Sequence, residues 1–148
     1  MTDSPTQPKT DEMFCHAVYT SWHVINRAYK RHLGPLGLTY PQYITLTLLW
    51  QRDRRNVSEL ANALSMETST LTPLLKRLEA DGLVDRTRSK EDERQVVVSL
   101  TGAGSALRSV AHEITACMIA DTGLDEPDLD RLLNTLEKLK AGMSQAGS

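Results

Sequence analysis

Residues 56–100 read NVSELANALSMETSTLTPLLKRLEADGLVDRTRSKEDERQVVVSL, and the rest of the chain is organised around them. Val57, Leu60, Ala61 and Leu64 recur at helical spacing and predict a short amphipathic helix. Asn56 stands just before it with Glu59 three residues on, the pattern of a capping box with Asn in place of Ser or Thr. Ser65-Met66-Glu67 has room only for a tight turn. Leu71, Leu74, Leu75 and Leu78 then open a second, longer stripe, with Glu67 or Thr68 as its cap and Gly82 as its stop. Two helices joined by about three residues suit a helix-turn-helix, whose second helix enters the major groove. Opposite the leucines lie Ser69, Thr70, Thr72, Lys76 and Arg77, hydroxyls and cations suited to phosphates and base edges. Pro73, with a cap at Thr68, falls just past the first turn, where its missing N–H costs little.

Beyond Gly82 the period changes. Leu83 to Arg88 reads as one strand and Gln95 to Leu100 as another, the second rich in β-branched residues. Ser89-Lys90-Glu91-Asp92-Glu93 forms the charged tip between them. A helix-turn-helix followed by such a hairpin is a winged helix, and Arg94 near the tip is placed for the negative minor groove. The stretch holds six Lys/Arg against eight Asp/Glu. A DNA-facing field therefore has to come from placement, with Lys76, Arg77, Arg86, Arg88 and Arg94 on one side. On pattern alone two readings stay open: a DNA-reading unit, or a leucine-rich core with solvated charged loops.

The run LTPLLKRLEADGLVDRTRSKEDERQVVVSLT resembles the winged helix of MarR-family repressors, and the similarity extends over roughly Phe14 to Leu139. Asp92 and Arg94, two apart, match the family's wing motif. The resemblance implies that Asp92 braces the wing and that Arg94 reaches the minor groove. It also implies the fold class: mainly α, with a small β-hairpin wing, as a winged helix-turn-helix in an intertwined homodimer.

Length and charge fit this. At 148 residues one domain, 1–148, is the default. A net charge of −2 argues against a general nucleic-acid sponge, so binding is expected to be local and sequence-directed. No run approaches the roughly 18 apolar residues of a membrane span, and the polar start MTDSPTQPKTDE has no apolar signal core. A cytoplasmic protein that makes no membrane contact is expected, with residues 1–10 disordered. Two cysteines in such a chain are redox-active or simply buried rather than a disulfide framework. There is no CxxC, no His/Cys cluster and no glycine-rich phosphate loop, so neither a metal nor a cofactor is expected.

From about Asp11 to Leu33 no Pro or Gly interrupts a long helix. Phe14, Val18, Trp22 and Ile25 form one apolar row; Cys15, Tyr19, Trp22, Asn26, Tyr29 and Leu33 form a second beside it. Cys15 lies in the first turns, where the helix dipole favours a thiolate and nearby tyrosine hydroxyls would donate to it; Asp11 and Glu12 oppose. The residues alone leave two options, a reactive thiol or a small core residue. FCHAVYTSWHVINRAYKRHLGPLGLTYPQY is similar, however, to the amino-terminal signature of the organic-hydroperoxide-sensing branch of the MarR family. By that resemblance Cys15 is the peroxide sensor, the tyrosines matching Tyr19, Tyr29 and Tyr40 surround it, and the partner's tyrosines bond its sulfur. Phe14 and Trp22 complete an apolar pocket that favours lipid-like or aromatic peroxides.

Thr39-Tyr40-Pro41-Gln42 is a strong helix start, and Ile44, Leu46, Leu48, Leu49 and Trp50 make the helix too apolar for the surface. It is expected beneath the reading unit. Between Trp22 and Arg55 six cations face one acid, Asp53, giving either a phosphate-contacting patch or a solvated loop. Thr101 caps a helix expected to reach about Asp121, carrying Leu107, Val110, Ala111, Ile114, Cys117 and Met118. After a break at Thr122-Gly123-Leu124, acids open a final helix with Leu129, Leu132, Leu133, Leu136 and Leu139 in a row. The resemblance implies that helices over 11–33 and 101–142 dimerise the chain, while 56–100 is the DNA-binding lobe. Two-fold symmetry then sets two reading helices about one duplex turn, roughly 10 bp, apart on pseudo-palindromic double-stranded operator DNA.

Cys117 matches the second cysteine of the two-cysteine type in this branch; the other option is a buried cysteine on an apolar face. The implied cycle is oxidation of Cys15 by an organic hydroperoxide, an intersubunit disulfide with Cys117, and release of the operator. Two alternatives remain: the same fold released by a small phenolic or aromatic ligand, and, from another class, a thiol peroxidase using Cys15 and Cys117. The regulator reading carries no catalytic residue.

Overall fold

A computed structural model describes residues 7–147; of the residues 1–10 expected to be disordered, 1–6 lie outside that range and Thr10 opens a 3-10 turn. The chain forms two compact units, one ending at Ala111 and the other beginning at His112.

In the first unit a 3-10 turn, Thr10–Glu12, precedes helix α1, Phe14–Leu33. The helix expected from Asp11 is thus divided, because Met13 between them is extended (φ −95°, ψ 112°). Gly34–Leu36 makes a further 3-10 turn, ended by Gly37 at φ +68°. Helix α2, Tyr40–Gln51, starts as its sequence predicts. The Thr39 side chain accepts from the Gln42 amide (3.4 Å), and the Gln42 side chain accepts from the Thr39 amide (3.0 Å). Its Leu46 and Leu49 are almost fully buried, and it packs against the two helices over residues 57–80, beneath the reading unit.

Helix α3 spans Val57–Leu64 and α4 spans Thr68–Ala80, so the turn is Ser65 to Glu67. Asn56 accepts from the Glu59 amide at 2.8 Å. Only half of a capping box forms, since the Glu59 carboxylate is held by Arg52 instead. Ser65 adopts φ +51°, which lets the chain reverse within three residues. Leu60, Leu71, Leu75 and Leu78 are fully buried, each contributing about 1.5–3 kcal/mol of apolar burial. Helix α4 begins at Thr68 with Glu67 as a cap that makes no side-chain bond, so Pro73 lies inside the helix, two residues past its first turn. Gly82, at φ +74°, ends α4: its amide reaches Glu79 O (3.0 Å) and the Leu83 amide reaches Leu78 O (3.0 Å), the paired bonds of a Schellman stop.

The wing strands are β2, Val84–Arg88, and β3, Val96–Leu100, in antiparallel register with Val84 opposite Leu100. A third strand, β1 at Arg55–Asn56, completes a sheet of order β1-β3-β2. Arg55, placed by its sequence in either a phosphate-contacting patch or a solvated loop, is thus in a strand. Asp53 makes this possible: its Oδ1 accepts from the amides of Arg54 (2.8 Å) and Leu100 (2.9 Å).

The helix expected from Thr101 is also divided. Helix α5, Gly102–Ala106, and α6, Arg108–Asp121, are separated by Leu107. In the second unit Gly123 (φ +66°) marks the break after α6, and α7 runs from Glu126 to Ala146 behind Asp125, which accepts from the Asp128 amide at 2.9 Å. Leu132 and Leu133 of its row are exposed, at 46% and 62%. Among the described residues no helix is long and apolar enough to cross a membrane.

Candidate nucleic-acid interface and thiol site

The outer face of α4 is made by the residues its period demands. Ser69, Thr70, Lys76 and Arg77 are exposed, Thr72 is half-buried, and Leu71, Leu75 and Leu78 hold the opposite face to the core. Thr72 Oγ1 donates to Thr68 O (2.9 Å), and Arg77 is paired with Asp81 at 3.3 Å near the end of the helix.

At the wing, Asp92 Oδ1 accepts from both the backbone amide and Nε of Arg94, each at 3.1 Å. The carboxylate thus fixes the root of the arginine while the rest of that side chain, 91% exposed, projects from the tip. The tip is itself closed by bonds from Ser89 N to Gln95 O (2.8 Å) and from Gln95 N to Asp92 O (2.9 Å). Arg86 behaves differently. Its Nη2 and its backbone amide each donate to the Glu79 carboxylate at 3.2 Å, its side chain is only 22% exposed, and its Nε is buried without a partner. Arg86 therefore ties β2 back onto α4. It lines, with Thr72 and Arg94, a notch of about 220 Å³ between the starts of α3 and α4 and the wing. Arg88 lines a separate groove with Arg54, Asp85 and Lys90, and its Nη1 donates to Glu93 O (2.9 Å). The five cations are therefore not all on one side: Arg86 and Arg94 meet at the reading helix, Arg77 is engaged on that helix, and Arg88 belongs to the other groove.

Both cysteines are exposed thiols. Cys15 occupies the second position of α1, and its neighbours Phe14 and Tyr19 are 61% and 63% exposed. Tyr19 packs edge-on against His23 (4.4 Å between ring centres). Further along, Trp22 and Tyr29 of α1 meet Tyr40 of α2 at 4.8 and 4.7 Å. Burial, then the neighbouring tyrosines, push the Tyr29 phenol up to about 12, and burial pushes Tyr40 up as well. Both hydroxyls therefore keep their protons at neutral pH and carry an O–H able to donate. Within one chain these tyrosines do not enclose the thiol, because fourteen helical residues separate Cys15 from Tyr29, a rise of about 21 Å.

Sequence reasoning missed Glu79 and Asp53 as parts of this machinery, and it missed Tyr43, whose ring stands 5.8 Å from that of Tyr29. Tyr43 had a signal, being three residues from Tyr40 on one helix face. Glu79 had none, since its partner lies across the Gly82 turn.

Residues 27–114 match the profile of a family described as transcriptional regulator SarA/Rot. An organic hydroperoxide resistance transcriptional regulator of Bacillus subtilis (strain 168) is 36% identical over 137 residues, 93% of this chain and 93% of that protein. Reduced AbfR bound to DNA, a protein of Staphylococcus epidermidis, superposes with a TM-score of 0.80 at 28% identity, covering 90% of this chain and 92% of that one. AbfR with its disulfide formed gives a TM-score of 0.64 at 29% identity over 88% and 87% of the two chains.

Proposed function

The chain belongs to the MarR/SarA family of DNA-binding, winged helix-turn-helix transcriptional regulators, and on that premise we propose that it is a repressor released from operator DNA by organic hydroperoxides. It regulates transcription and is not an enzyme. The observation that carries the redox reading is the exposed Cys15 thiol at the start of α1, on the helix that also supplies Trp22 and Tyr29 to a cluster of protonated phenols.

In this reading the chain acts as a homodimer. The exposed apolar residues Phe14, Val18 and Ile25 of α1, and separately Leu132, Leu133 and Met143 of α7, leave water by pairing with a second copy. Residues 11–33 and 101–142 are then the dimerisation helices. Because Tyr29 lies about 21 Å along α1 from Cys15, the Tyr29 and Tyr40 that surround the thiol in this reading are the partner subunit's, while Tyr19 is one turn away on the same helix. Ser69, Thr70, Thr72, Lys76 and Arg77 face the major groove, Arg94 the minor groove, and Arg88 the flanking backbone. Asp92 and Arg86 act by holding the wing in place.

The Cys15 thiolate attacks the outer oxygen of the hydroperoxide and breaks the O–O bond, giving a sulfenic acid and an alkoxide that takes a proton from water and leaves as the alcohol. The partner's Cys117 thiol then attacks that sulfur, forming a disulfide and expelling water. Bridging requires Cα atoms within about 4.4–6.8 Å, so closing it reshapes the dimer and changes the spacing of its reading heads. Supporting this cycle is the similarity to a hydroperoxide resistance regulator over nearly the full length of both chains.

The test is a gel shift on operator DNA with and without cumene hydroperoxide, on wild type and Cys15→Ser. The variant is expected to bind as wild type does and to stay bound in peroxide. Its release by peroxide would reject Cys15 as the sensor.

A further inference from the structure

Tyr43 and Trp50 lie seven residues apart, two turns of α2, and so share one helix face. Each donates across to the chain that follows the wing: Tyr43 Oη to Ala111 O at 3.2 Å, and Trp50 Nε1 to Gly104 O at 2.9 Å. Gly104 and Ala111 are also seven apart, and the pairing runs in opposite directions. The two bonds therefore straddle Leu107, the single residue that separates α5 from α6.

At one end, the Tyr43 ring is 4% exposed and stands 5.8 Å from the Tyr29 ring, which itself touches Tyr40. At the other, the Tyr43 and Trp50 rings are 6.2 Å apart. Gly104, which Trp50 holds, abuts Leu83 O so closely that a β-carbon there would stand 2.0 Å away. Thr101 closes the same junction, its Oγ1 donating to Gly82 O (2.6 Å) and its amide to Leu83 O (3.1 Å). Gly82 is the stop of α4. Packed rings and hydrogen bonds thus run without a gap from Tyr29 and Tyr40 to the end of the reading helix.

We propose that Tyr43 is a positioning residue of the switch: it transmits the state of the tyrosine pocket to the helix break at Leu107 and, through Trp50, to the end of α4. This rests on the reading of Tyr29 and Tyr40 as part of the sensing pocket. Close-packed interiors transmit displacement, so a buried ring cannot stay still when the ring beside it moves. A shift of Tyr29 moves Tyr43, its hydroxyl leaves Ala111 O, and the segment from Gly104 to Ala111 is held at one end only. The coupling is carried by a hinge pinned in one state and half-released in the other.

The test uses the full chain and three readouts: operator affinity by fluorescence anisotropy before and after cumene hydroperoxide, Cys15 oxidation by mass spectrometry with a sulfenate trap, and the thermal midpoint. Tyr43→Phe keeps the ring and removes the hydroxyl; Trp50→Phe removes the indole donor; Trp50→His restores a ring N–H. Both Phe variants are expected to oxidise Cys15 at the wild-type rate and, lacking one pin in either state, to bind DNA more weakly than wild type when reduced and to lose about ten-fold less affinity on oxidation. Trp50→His is expected to regain part of the response. If the Phe variants are oxidised and released as wild type is, the proposal fails, and Tyr43 merely fills the core. Should Tyr43→Phe not fold, the two Trp50 variants decide the matter by the same criterion. Wild-type release with Cys15 unmodified is a different result: it removes the sensor reading itself, and this proposal with it.

Discussion

Gly104 meets the backbone of Leu83 with no room for a side chain: a β-carbon at Gly104 would lie 2.0 Å from Leu83 O and 3.1 Å from Leu83 C. The obstacle is backbone just after the stop of the reading helix, which cannot swing aside as a side-chain tip would. Gly104→Ala is expected to destabilise the protein by about 3 kcal/mol and to lower its apparent Tm by roughly 10 °C. Thermal unfolding followed by circular dichroism checks this; a midpoint equal to wild type would show that the junction yields.

Two wing arginines separate stability from binding. Arg94 is 91% exposed, and its pair with Asp92 sits in water, worth about 0–1 kcal/mol to the fold. Arg94→Ala is expected to leave Tm unchanged, to weaken operator binding on any sequence, and to reduce the slope of log affinity against log salt by about 1. Asp92→Ala is expected to give a smaller loss, since the arginine stays but is no longer held. Arg86→Ala instead removes the guanidinium from a half-buried Glu79, leaving it only the residue-86 amide, and is expected to lower stability by about 1–3 kcal/mol. Anisotropy titrations at several salt concentrations and denaturant melts distinguish them. Equal losses of stability in Arg86→Ala and Arg94→Ala would contradict the assignment.

For Cys117, the expected signature is a dimer band on a non-reducing gel after cumene hydroperoxide, reversed by dithiothreitol and absent in Cys117→Ser. Cys117→Ser is still expected to form the Cys15 sulfenic acid, which a trapping reagent detects by mass. Absence of any crosslink in oxidised wild type would exclude the two-cysteine cycle.

Tyr29 supplies a pH test. Its folded value of about 12 lies above the ordinary tyrosine value of 10, so the folded state holds this proton more tightly than the unfolded chain. The contribution is fully present below about pH 10 and is lost as pH rises through about 12. It is on the order of 1–2 kcal/mol, discounted because the ring is partly exposed. Stability measured by denaturant between pH 9 and pH 12 is expected to fall less steeply in Tyr29→Phe than in wild type. Identical slopes would mean that the phenol ionises as it does in water.

The reading lobe was legible because its signals are local. The spacing of Leu71, Leu75 and Leu78, the glycine at position 82 and the β-branched run from Val96 to Val98 each dictate nearby backbone, and each appears where its pattern puts it. The divisions at Met13 and Leu107 were not legible, since neither residue breaks a helix by propensity. At Leu107 the surroundings decide: Trp50 takes Gly104 O, Tyr43 takes Ala111 O, and Gly104 is pressed against Leu83. Strand β1 was hidden for a similar reason, as two residues carry no period and their partners lie some forty positions away, Arg55 opposite Val98.

The sequence by itself determined the helical periods, the caps, the winged helix and the position of Cys15 at a helix start, because those depend on residues within a turn or two of one another. Only the tertiary structure decided which cations are free to reach a duplex, that Arg86 is bound inward to Glu79, and that Tyr43 links the tyrosine cluster to the break after the wing. Those outcomes depend on groups distant in the chain competing for the same hydrogen bonds and the same space, and no local spacing encodes that competition.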